Sequence, residues 1–199
     1  MGKGRMEAFS DGVIAVIITI MVLELKAPHD ASLQALVANV PAFLSYVLSF
    51  LYVGIYWNNH HHLLHAAQRV NGKVLWANLF FLFWLSLFPF VTSWLNESHP
   101  HPSPVPTALY GFVLLMAAVA WMPLSRALIC CNGGHDGLLG RALGGLWGDW
   151  KAKLSLLLYV LGIAMAFFAP ILSCTLYALV AILWVVPDRR IEHHLKQET

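Results

Sequence analysis

The chain has 199 residues, 59% of them hydrophobic and only 11% charged, with eight Trp. A soluble domain carries about a quarter charged residues, and here the apolar blocks recur along the whole length, so the composition is that of a polytopic membrane protein. A formal net charge of +2, with the basic residues at segment ends, leaves no patch for DNA or RNA. Three cysteines, the adjacent Cys130 and Cys131 and the distant Cys174, are odd in number and read as reduced thiols, not as a disulfide framework.

About 20 apolar residues are needed to cross the hydrocarbon core of a bilayer. By that measure the chain is all-α, a single domain over 1–199 with six transmembrane spans at 6–26, 38–62, 74–95, 106–129, 153–170 and 171–187. Lys3 and Arg5 before the first apolar run imitate a signal peptide. Asp11 and Thr19 interrupt the pattern and no small-x-small cleavage site follows, so the segment is expected to be retained. The opening "MGKGRM" lacks the hydroxyl residue of a myristoylation signal.

The second span opens at Pro41, which a first turn tolerates. After the third span, "NESHPHPSPVP" has no Lys or Arg and suits a stiff outer connector; its Asn96-Glu97-Ser98 triplet matches a glycosylation acceptor but such triplets arise by chance. After the fourth span, the Gly-rich "CNGGHDGLLGRALGGLWGDWKAK" reads as a flexible interfacial segment. Spans five and six meet at Pro170, which favours a tight turn. Lys3, Arg5, Arg69, Lys73, Arg126, Arg141, Lys151, Lys153, Arg189, Arg190 and Lys196 fall on one side of this arrangement and Lys26 alone on the other, 11 of the 12 basic residues. Basic residues are retained on the cytoplasmic side, so both termini are expected there. Several Trp near span ends, such as Trp57, Trp94 and Trp150, suit interface anchors.

The first span is the unusual one. Its apolar run, bracketed by Asp11 and Glu24, is too short to cover a hydrocarbon core of roughly 30 Å. At 100° per residue, Ala8, Gly12, Ala15, Val16, Thr19 and Leu23 share a stripe about 100° wide. Small residues at this spacing let helices pack closely in a membrane. Alternatively, copies of the helix surround an axis and line a pore; periodicity does not separate the two.

Arg5, Phe9, Ser10 and Asp11, followed by Gly12, Ala15, Thr19 and Leu23, resemble the R-x-x-x-F-S-D signature and first helix of the lysosomal potassium-channel family. Weaker echoes are Trp57-x-x-His60 with Leu63, and Asn78 with Pro89-Phe90. Animal members of that family carry two six-helix repeats and prokaryotic members one, so this chain looks like a prokaryotic member. The resemblance implies a potassium-selective cation channel in the plasma membrane, with four subunits around one pore lined by the first helices. It implies apolar constriction layers at Val16 and Leu23, with Thr19 or Ile20 between them. It implies no cofactor beyond the permeant ion, and as partners only other copies of the chain, monovalent cations and lipid. The position of Val16 more often carries Ile or Leu, so that layer would be wider here. The sequence has no T-V-G-Y-G loop, so a carbonyl filter is not expected; an apolar constriction gates by dewetting and discriminates by dehydration cost.

Asp11 is expected to be paired, since an intramembrane carboxylate is expensive. Arg5 and His60 are the candidate partners in a network with Phe9 and Ser10, and a helix-start cap formed with Ser10 is the alternative. His61 and His65 share a face at i, i+4, compatible with a metal or haem. No Cys, Asp or Glu lies within that segment to complete a shell, and interfacial or titrating histidines are the favoured reading. Glu24 is expected either to pair locally with Lys26 or to concentrate cations at an outer mouth. A proton- or cation-coupled transporter is the competing class, and a haem or metal enzyme a weaker third. Spans two to six have no Asp or Glu in their cores, which counts against a transporter. No catalytic constellation is present, and an enzyme is not expected.

Overall fold

A computed structural model describes residues 2–28, 30–97, 101–143 and 150–185. Among them every regular element is helical: α1 (Lys3–Leu23), α2 (Leu33–Ala38), α3 (Val40–Ala66), α4 (Gly72–Ser86), α5 (Phe88–Glu97), α6 (Pro104–Cys131), a 3-10 turn (Gly134–Asp136), α7 (Leu138–Leu143), α8 (Trp150–Met165) and α9 (Pro170–Val185). The helix starts follow local chemistry. The Ser32 hydroxyl accepts from the Ala35 amide at 3.2 Å to open α2, and Asn71 accepts from the Val74 amide at 3.0 Å to open α4. Prolines, which lose nothing in a first turn, stand at the starts of α3, α6 and α9.

Helices stand at all six predicted positions, but only four are long and apolar enough to cross a membrane: α1, α3, α4 continued by α5, and α6. The helices at the fifth and sixth positions, α8 and α9, have 16 residues each, roughly 24 Å of rise, so the described lengths do not carry a count of six. α1 begins and ends three residues before the predicted 6–26. α3 runs four residues past the predicted end at 62, taking the histidine run into its last turn. The third span is broken at Leu87, because Pro89 has no N–H to offer the carbonyl of Leu85 and its ring crowds that turn. Arg189, Arg190 and Lys196 lie outside the described residues, as do Ser98 and the last two residues of the predicted sixth span.

α1 packs against α3, α4 and α5; α4 and α8 flank α6; and α9 closes on α3, α6 and α8. Tyr177 of α9 marks the tightest place. Its ring fills the space that a Cβ would take on Gly111 of α6 and Gly162 of α8, so small residues there admit an aromatic between helices. The Tyr177 carbonyl accepts from the Tyr52 hydroxyl at 2.6 Å, which ties α9 to α3. The buried Ser49 hydroxyl lies 2.7 Å from that of Thr92 and 3.0 Å from that of Tyr110, joining α3, α5 and α6.

Beyond α1, Lys26 pairs with Glu97 at 3.4 Å, while Glu24 accepts from Ser93 at 2.9 Å. The expected local Glu24–Lys26 pair is therefore replaced by contacts to α5. At the other end, Asn132 accepts from the amides of Gln68 and Arg69 at 2.7 and 2.8 Å and fastens the α3–α4 joint to the end of α6. Gly133, at φ 97°, turns the chain into the 3-10 segment; the stretch read as a flexible connector thus begins with ordered turns.

Candidate functional site

α1 has two faces. Met6, Ser10, Ile14, Ile17 and Met21 are buried, a run of threes and fours that keeps one side against α3, α4 and α5. The small-residue stripe lies on the opposite side, and nothing within the chain covers it. Val16 is 54% and Leu23 80% exposed, and Gly12, Ala15 and Thr19 are exposed with them. A Cβ added to Gly12 would meet open space, in contrast to Gly111 and Gly162. The Thr19 hydroxyl donates to the Val16 carbonyl at 2.9 Å, so its polar demand is met within its own helix. Ile20 stands about 40° around from Val16, and lines a cleft with Glu24, Ser86, Pro89, Phe90 and Trp94.

The signature that precedes this stripe divides into two contacts. Ser10 is fully buried; its hydroxyl donates to the Met6 carbonyl at 2.8 Å and accepts from Asn78 Nδ2 at 2.9 Å. Asn78 Oδ1 lies 2.8 Å from Nε2 of the buried His60. The direction of this chain follows from its end: a carbonyl only accepts, so Ser10 donates to it, Asn78 donates to Ser10, and His60 Nε2–H donates to Asn78. The His60 ring stacks on Phe81 with centroids 5.9 Å apart, and its Nδ1 is left without a partner among the described residues.

Asp11 belongs to the other contact. Its Oδ1 accepts from Trp57 Nε1 at 3.0 Å. The expected partners, Arg5 and His60, do not bond to it, and α1 begins at Lys3 with Gly2 as its cap, which places Asp11 in the third turn and removes the helix-start reading. Ser10 and His60 do meet, through Asn78. Arg5 is exposed, with no side-chain hydrogen bond or ion pair among the described residues, and Phe9 is half-exposed, so neither joins the network.

Sequence reasoning noted Asn78 and Trp57 as echoes of a family and missed their roles. The available signal was a carboxamide in the middle of an otherwise apolar span, which needs a buried partner. It also missed Glu7, whose Oε1 lies 3.6 Å from His61 Nδ1: the carboxylate absent from the histidine segment comes from α1.

Comparison with known proteins is consistent with this layout. The family model for the endosomal/lysosomal potassium channel TMEM175 matches residues 5–89. A Chryseobacterium protein named as a potassium channel is 50% identical over 197 residues, covering 99% of this chain and 100% of that one. A Streptomyces collinus protein, also named a potassium channel, is 32% identical over 190 residues and 90% of each chain. The crystal structure of a lysosomal potassium-selective channel TMEM175 homologue from Chamaesiphon minutus matches with a TM-score of 0.76 and 26% identity, covering 92% of this chain and 96% of that one.

Proposed function

The chain belongs to the TMEM175 potassium-channel family, and from that premise we propose that it is a passive, potassium-permeable and potassium-preferring cation channel. Four copies surround one axis in a bacterial plasma membrane, each crossing six times with both termini in the cytoplasm. The first helices line the pore. Val16 and Leu23 form the apolar layers, with Thr19 between them and Ile20 beside Val16.

The observation that carries this reading is the bare stripe of α1. A helix whose other side is fully packed exposes Val16 and Leu23 beside a glycine that nothing in the chain approaches. A pore between copies of that face accounts for both the exposure and the small side chains, and cyclic symmetry closes the arrangement. Because the Thr19 hydroxyl is turned to its own backbone, the ring offers few oxygens to replace a hydration shell. Discrimination then comes from dehydration at apolar layers, which costs less for potassium than for the smaller sodium ion. The short Val16 side chain leaves that layer wide and the preference modest.

The test is a flux assay on the purified chain in liposomes, comparing potassium, sodium and a large organic cation. Passive potassium flux, lower sodium flux and no organic-cation flux are expected. Flux that requires a proton or sodium gradient would replace the channel with a coupled transporter, and a stable, conducting monomer would remove the shared pore.

A further inference from the structure

The N-terminal half of α1 is joined to α3 by contacts that repeat every four residues on both helices. Lys3 Nζ donates to the His65 carbonyl at 3.1 Å, Glu7 Oε1 lies 3.6 Å from His61 Nδ1, and Trp57 Nε1 donates to Asp11 Oδ1 at 3.0 Å. The helices run antiparallel here, so equal spacing on each brings the pairs into register like rungs. On the α3 side the rings are also in contact, Trp57 with His61 at 6.1 Å and His61 with His65 at 6.0 Å between centroids.

The middle rung differs in kind from its neighbours, because it joins a carboxylate to an imidazole ring. Imidazole is the side chain whose charge ordinarily changes between about pH 5 and 8. When the ring is protonated the rung is an ion pair. When it is neutral, a separation of 3.6 Å exceeds a hydrogen bond and no charge attraction remains. We propose that the Glu7–His61 contact is a proton-operated clamp on the first helix, drawing it onto α3 in acid and releasing it in alkali.

The surroundings leave the middle rung as the element that switches. Lys3 and Asp11 flank it on α1, each already held by the adjoining rung; on α3, His60 is bonded to Asn78, while His62 and His65 are ring neighbours of His61. Arg69 and Lys73, beyond the end of α3, line clefts with Asn132 and Arg126 respectively, and Arg141 of α7 is exposed. A clamp at this place acts on conduction only if the opposite face of α1 lines the pore, so its functional part rests on the reading above. α3 lies away from that face. Drawing α1 onto α3 therefore holds the constriction back from the axis, and flux rises in acid.

The experiment uses the full chain in liposomes, with potassium flux measured at about pH 5.5 and about pH 8 on both sides, and thermal unfolding in detergent at the same values. Wild type is expected to conduct about two- to fivefold faster in acid, the shift that a partly exposed ion pair supports. Glu7→Gln and His61→Gln should lose that difference, and His62→Gln should keep it. In unfolding, Glu7→Gln should remove an acid-side stabilisation present in wild type. A flux ratio that Glu7→Gln leaves unchanged overturns the proposal, and so does a reversed direction in wild type. If the unfolding difference is present but no variant conducts at either pH, the channel reading fails and the clamp stands. If both proteins unfold alike at both values, the clamp fails whatever the flux.

Discussion

Trp57 donates its indole N–H to the carboxylate of Asp11 at 3.0 Å, so the acid of the N-terminal signature is held from α3 and not from its own helix. Trp57→Phe keeps an aromatic ring and removes the donor. It should cost about 1 to 2 kcal/mol, the value of a hydrogen bond to a charged acceptor reduced for partial exposure. Asp11→Ala should lower the yield of assembled protein before it alters ion preference, as read by size-exclusion chromatography and then flux. A variant that assembles normally and loses selectivity would move Asp11 into the permeation path.

Asn78 carries a larger share of the fold. Asn78→Leu fits the site in volume but leaves the buried His60 N–H without an acceptor and deprives Ser10 of a donor. Each unsatisfied buried group costs about 1 to 3 kcal/mol. Thermal unfolding in detergent should fall accordingly, and adding His60→Leu should cost much less than it does alone, because both act on one network. Full additivity would show that the two residues do not share it.

The glycines separate packing inside the chain from packing outside it. Gly111→Ala and Gly162→Ala force a methyl against the Tyr177 ring, which should cost about 1 to 3 kcal/mol and be partly relieved by Tyr177→Leu. Gly12→Ala meets nothing in the chain and adds helix propensity of up to about 1 kcal/mol. If native mass spectrometry nonetheless shows Gly12→Ala losing its oligomer, the constraint at Gly12 comes from a neighbouring copy. An intact, fully conducting oligomer would show that no close approach occurs there.

The faces of α1 are distinguished by side-chain size and by water. Val16→Phe should block potassium flux, while Val16→Ala or Leu23→Ala should raise it and weaken discrimination against sodium. Ile17→Ala, on the buried side, should mainly cost stability, about 2 to 4 kcal/mol for a truncated core aliphatic. With Cys130, Cys131 and Cys174 replaced by Ser, a water-soluble thiol reagent should modify Val16→Cys, Thr19→Cys and Leu23→Cys and spare Ile17→Cys. Inert thiols at all three exposed positions in a conducting protein would make the stripe a packing seam.

Much of this molecule was legible before any coordinates, and the reason is locality. Membrane class, the positions of the helices and the two-sidedness of α1 depend on runs and periods within about 20 residues, so the string alone states them. The division of α1 into a covered face and a bare one follows from the same period: Ile17 and Val16, adjacent in the chain, point to different surroundings. The break at Leu87 was also within reach, since Pro89 stands in the string, but an apolar composition on both sides conceals it.

The partners were not legible, because pairing across helices depends on rotation, depth and crossing, which no window of sequence contains. Asp11 had three polar candidates near its depth, and only the seating of α1 on α3 selects Trp57. Lys26 had Glu24 two residues away, yet α5 brings Glu97 to it across 71 positions. Glu7 and His61, 54 positions apart by their numbers, become neighbours because two four-residue repeats on antiparallel helices fall into register. Hydrophobicity decides which segments become membrane helices; the fit of small residues around large ones, as at Gly111, Gly162 and Tyr177, sets how those helices are turned, and that turn decides which polar atoms meet.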